Sequence, residues 1–140
     1  MNPKIHLILA GALQIALALF HFTLPGRFQW HEDLARLSLL NRQIFWVHTF
    51  FIMLVLVLFG LLSIFGAKEL VRPTSLSRMV LAGITFFWVA RLFCQFFVYS
   101  PELWRGNTLF TVAHVLFSLL WAYFIFAYAN CLVRIWSRGA

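Results

Sequence analysis

Acidic side chains are scarce in this chain of 140 residues: there are four Asp and Glu in all. None lies inside any of the four long apolar stretches described below. That scarcity excludes several chemistries. A di-iron carboxylate bundle needs inward glutamates and Glu-x-x-His pairs, a serine triad needs a buried acid behind its histidine, and coupled transporters carry buried acids on broken helices. No phosphate-binding loop or glycine-rich dinucleotide fingerprint is present. With only two cysteines and no C-x-x-C-H run, covalent haem attachment is excluded too.

What the chain has in abundance is apolar surface. It is 63% hydrophobic and 11% charged, with a mean hydropathy of +0.89, so its solvent is lipid. A helix needs roughly 20 mainly apolar residues to cross a ~30 Å hydrocarbon core. Four stretches meet that length: Ile5 to Leu24, Ile44 to Phe65, Met79 to Tyr99 and Leu109 to Leu132. They are continuous rather than alternating, which argues against barrel strands. The expected fold is all-α, a single integral membrane domain built as a four-transmembrane-helix bundle. Ala16 and Ala18 stand in the A-x-A spacing of a signal-peptide cleavage site, but the apolar run continues through Leu19 to Phe22, so the first stretch is expected to be a retained span.

Lys and Arg are retained on the cytoplasmic side of a membrane. Lys4, Lys68, Arg72, Arg78, Arg134 and Arg138 fall on one side with Glu69. Arg27, Arg36, Arg42 and Arg105 fall on the other with Glu32, Asp33 and Glu102. Both termini are therefore expected in the cytoplasm. Cys94 then lies in the outer half of the third span and Cys131 at the inner end of the fourth, too far apart for a disulfide at ~1.5 Å per residue. The net charge of +7 is spread over loops and helix ends, and fits anionic lipid headgroups rather than nucleic acid.

The first outer loop has content of its own. Phe28, Trp30, Leu34, Leu37 and Leu40 recur at helical spacing among His31, Glu32, Asp33 and Arg36, predicting an amphipathic helix on the outer surface, either a connector or a lid. Thr74 and Ser75 after Pro73 are N-caps for the third span. Ser100-Pro101-Glu102 reads as a capped single turn. Trp30, Trp46, Tyr99 and Trp104 form an outer aromatic belt, with Trp136 an inner anchor.

Depth gives the main functional expectation. Counting ~1.5 Å per residue from the outer ends, His21, His48, Gln95 and His114 lie roughly 4 to 8 Å below the boundary and Arg91 about 12 Å below it. Gln14 and His21, Asn41 and His48, Arg91 and Gln95, and Asn107, Thr111, His114 and Ser118 form polar stripes expected to look inward, because hydrocarbon cannot satisfy them. Three imidazoles from three helices, His21, His48 and His114, suit Zn or Cu with a coordination position left open. His48 and His114 sit at matched places in two successive hairpins, an arrangement that suits two-histidine ligation of a b-type haem. Trp88 and Trp121, at similar depth near the midplane, either floor a cofactor or quinone pocket or pack in the core.

Arg91 needs an anionic or polar partner, since a guanidinium in a bilayer costs several kcal/mol unless paired. Three kinds are expected: Glu32 or Asp33 from the first loop, Gln95 with backbone carbonyls and water, or an anionic ligand held by the guanidinium fork. Against every such reading stands an ordinary one, in which His, Gln, Asn, Ser and Thr are interhelical glue worth ~0.6 kcal/mol per hydrogen bond. The leading expectation is an outer-leaflet His/Arg layer that binds a redox cofactor, haem b, or a transition metal, in a subunit or partner of a larger membrane complex. The alternatives are a scaffold subunit or homo-oligomer without chemistry, and an enzyme or receptor for a lipid or quinone with Arg91 on the polar head.

Overall fold

The computed structural model describes residues 2–138 and is helical throughout its regular structure. Helices α1 (Pro3–His21), α4 (Leu39–Phe65), α6 (Ser75–Phe97) and α7 (Thr108–Trp136) are the four, among the described residues, that are long and apolar enough to cross a membrane. Three short helices, α2 (Leu24–Arg27), α3 (Trp30–Ala35) and α5 (Ala67–Leu70), and a single 3-10 turn at Pro101–Leu103 connect them. The chain divides into two compact units, one formed by Ile8–Gly66 and the other by the segment from Ala67 onward with the first residues as far as Leu7.

The helix starts are written in polar side chains. Thr74 accepts from the Ser77 N–H at 3.1 Å to open α6, and Asn107 accepts from the Phe110 N–H at 3.2 Å to open α7, each satisfying a backbone donor that the first turn leaves without an intrahelical partner. Ser100 caps the 3-10 turn with Pro101 at its first position, as its sequence requires.

Two expectations in the first loop are corrected. The first span does not run to Leu24: α1 stops at His21. Pro25 has no N–H to give the His21 carbonyl, and its ring would clash there, so the chain breaks and restarts as α2. Nor do residues 28–40 form one amphipathic helix. Gln29 adopts a left-handed conformation, φ 51°, before the six-residue α3, and Ser38 then caps a new helix that carries Leu39 and Leu40 into α4. Leu34 is buried, whereas Phe28, Leu37 and Leu40 are exposed. Trp30 meets Phe45 edge to face at 4.9 Å, and His31 lies against Trp46 at 5.2 Å, so α3 is pinned by rings to the start of α4.

In the first unit α1 and α4 pack antiparallel at very close range. A Cβ on Gly11 would stand 2.7 Å from the Gly60 carbonyl oxygen, and one on Gly60 would stand 2.9 Å from that of Gly11. Small residues permit this approach, the usual basis of helix association where lipid removes any hydrophobic drive. In the second unit α6 and α7 form an antiparallel hairpin. Trp88 stacks on Trp121 at 5.1 Å and 16° in its middle, and the Arg78 guanidinium lies 5.2 Å over the Trp136 ring at one end. His6, expected at the interface, bonds the Tyr123 hydroxyl at 3.3 Å and meets Phe126 edge-on.

Candidate functional site

The polar layer of the α6–α7 hairpin centres on Gln95, which is 7% exposed. Its Oε1 accepts from Arg91 Nη1 at 3.1 Å, one helical turn earlier on the same face, and from the Trp121 indole N–H across the hairpin at 3.4 Å. Arg91 and Trp121 can only donate, so the atom of Gln95 that faces them must be oxygen. The amide nitrogen therefore faces His114, with 2.9 Å between Nε2 and the imidazole Nδ1. An amide nitrogen can only donate, so His114 Nδ1 accepts with its lone pair and the ring proton of the neutral imidazole sits on Nε2.

The half-buried Arg91 guanidinium lies 4.8 Å over the Trp121 ring and 5.7 Å over the Tyr99 ring, contacts worth on the order of 1–2 kcal/mol when desolvated. Of the partners expected for Arg91, the structure supplies the Gln95 amide and these ring faces. Arg91 forms no ion pair among the described residues, where Glu69 is taken by Arg72 at 2.7 Å. Trp88, seven residues before Gln95 and 1% exposed, keeps a buried indole N–H with no hydrogen-bond partner among the described residues.

His114 is clamped by the connecting loop. Trp104, read from the sequence only as a belt residue, stacks on the imidazole at 3.9 Å and 17°. Gly106, at φ 84°, turns the chain back after it, and Thr111 Oγ1 donates to the Trp104 carbonyl at 2.7 Å. Phe96 meets the imidazole edge-on at 5.7 Å. Trp104 escaped the sequence reading because its placement depends on a left-handed glycine in a loop.

His21 and His48 belong to the other unit. Each bonds through Nδ1 at 2.8 Å to the carbonyl four residues back, Leu17 and Ile44 respectively. A carbonyl only accepts, so Nδ1 carries a proton in both, and in the neutral ring this leaves the lone pair on Nε2. His21 also lines an apolar groove of about 510 Å³ between α1 and α4, with Ile15, Phe22, Thr49 and Met53. The inward stripe expected for α4 is not formed: Asn41 and His48 are both exposed. Gln14, by contrast, is fully buried. Among the described residues, no group of three or more His, Cys, Asp or Glu side chains is gathered in a metal-holding arrangement.

No known family, curated protein or solved structure matches this chain.

Proposed function

We propose that this protein is a small multi-pass membrane protein whose Arg91–Gln95–His114 network binds the polar head of a hydrophobic molecule, a lipid or a quinone, as receptor or enzyme. One observation carries the reading: Arg91, in a membrane-length helix, is half-buried without a carboxylate partner among the described residues. Such a charge is costly to maintain, and side-chain amide and ring contacts offset it only in part. Trp88 and Trp121 stack on each other inside the hairpin and hold the Gln95 end of the network in place. Native mass spectrometry of protein extracted in mild detergent tests this. A tightly held amphiphile near one per chain is expected for the wild type and is expected to be lost in Arg91→Gln; a wild-type protein carrying none would end the proposal.

A second reading, a histidine-bound redox cofactor, haem b or a transition metal, in a subunit of a larger membrane complex, is favoured by one feature. In both His21 and His48 a backbone carbonyl holds the Nδ1 proton, so the neutral ring presents its Nε2 lone pair, the usual way a ligand histidine is oriented. For His114 to ligate through Nε2, its proton would have to leave and the Gln95 bond rearrange. A Soret band or stoichiometric metal in purified protein would establish this reading, and their absence would remove it.

From the distribution of basic residues we further propose that both termini lie in the cytoplasm. A phosphatase that works only outside the cytoplasm, fused after residue 140, is expected to be inactive, and a fluorescent protein fused there bright. The reverse pattern would invert the proposed topology.

A further inference from the structure

Hydrogen-bond capacity in the Arg91 network is used up on one side only. Gln95 Oε1 has two lone pairs and receives two donors, Arg91 and Trp121. His114 Nδ1 has one lone pair and receives the Gln95 amide. What these side chains have left is all of donor type: the other N–H groups of Arg91, the second amide hydrogen of Gln95 and His114 Nε2–H. Trp88, on the Arg91 face of α6 and stacked on the same Trp121, adds a buried N–H that has no acceptor among the described residues. The one formal charge among them is positive, and α6 and α7 contain no Asp or Glu.

A head that donates hydrogen bonds finds no acceptor in this network. A cation is repelled, and a neutral carbonyl satisfies donors yet leaves the guanidinium charge uncompensated. Resting on the head-binding reading above, we infer that the head bound here is a negatively charged oxyanion, the carboxylate or phosphate of a membrane amphiphile. The Arg91 fork then makes paired, charge-assisted bonds to two oxygens, and His114 Nε2–H and the Gln95 amide are further donors to it.

The test uses full-length protein in phosphatidylcholine nanodiscs, titrated with oleate, dioleoyl phosphatidate, oleyl alcohol and a short-chain ubiquinone. Tryptophan fluorescence and thermal melting are the readouts. Oleate, phosphatidate or both are expected to bind at least about tenfold more tightly than the alcohol of the same chain length, the scale of a desolvated charge pair. Which of the two binds identifies carboxylate or phosphate as the source. Arg91→Gln is expected to erase the preference. Gln95→Glu keeps acceptors facing Arg91 and Trp121 while supplying an internal carboxylate, so it is expected to fold and to lose anion binding as well. Alcohol or quinone binding as tight as the anions, or an anion preference that survives in Gln95→Glu, overturns the charge assignment and leaves the head-binding reading standing. Failure of all four molecules to bind the wild type overturns both.

Discussion

Trp121→Ala is expected to destabilise the α6–α7 hairpin by about 3 kcal/mol, toward the lower end of the range for large aromatic deletions. In water much of such a loss is transfer free energy. In a bilayer the displaced ring would enter acyl chains, so the cost lies mainly in lost packing and the void left behind. The void would be large, because Trp121 is 4% exposed and touches much of the hairpin interior. It stacks on Trp88 and, at 5.6 Å, on Phe117, lies beside Phe124, carries the Arg91 guanidinium on its face and donates to Gln95. Unfolding in mixed detergent and SDS micelles measures the effect. Trp121→Phe separates the two roles: it is expected to recover most of the stability and none of the N–H bond to Gln95. An alanine variant as stable as the wild type would mean that these rings pack without bearing on the hairpin.

The second large effect is expected in the other unit. Gly11→Ala places a methyl carbon 2.7 Å from the Gly60 carbonyl oxygen, 2.9 Å from Ile64 Cγ1 and 3.0 Å from Ser63 Cβ. Two of those three neighbours, the Gly60 backbone and the Ser63 Cβ, are fixed close to the main chain of α4, so relief requires α1 and α4 to separate. Overpacking of this kind costs about 1–3 kcal/mol, and lipid offers no hydrophobic drive to draw the helices back together. Gly83 in α6 supplies the matched control, since a Cβ there would meet nothing within 4 Å. Gly83→Ala is expected to be neutral or to stabilise by about 0.5–1 kcal/mol through helix propensity. The same micelle titration decides, and similar behaviour of the two variants would dismiss close helix approach as a source of stability.

The long helices were legible because length and apolarity are enough to define a span, and the starts of α6 and of the 3-10 turn were legible where Thr74 and Ser100 carry capping oxygens. The first loop was misread because the spacing of Phe28, Leu34 and Leu40 looks periodic, while the conformation of Gln29 and the cap at Ser38 break that period into separate helices. At the site, the turn from Arg91 to Gln95 was visible as an i, i+4 pair, and the common depth of Gln95 and His114 suggested one layer. The direction of the bonds was not visible. It emerges only when Arg91 and Trp121 both converge on one oxygen, a fact of side-chain geometry that spacing does not encode. His48 shows the opposite limit: a seven-residue interval from Asn41 fixes a shared face but not which way that face looks, and both side chains lie exposed.

The bonding order around Gln95 also bears on how the protein is made. Arg91 leaves the ribosome before His114 and Trp121, so α6 meets the translocon with its guanidinium backed by Gln95 but not yet by Trp121, and insertion scales penalise an arginine by about 2.5–3.5 kcal/mol at a helix centre. Gln95 and Tyr99 come with α6 and the connector, whereas the Trp121 ring that covers the guanidinium arrives on α7, after a connector of ten residues, Val98 to Asn107. Integration of α6 into the lipid phase should therefore wait for α7, and the two segments should leave the insertion machinery as a pair.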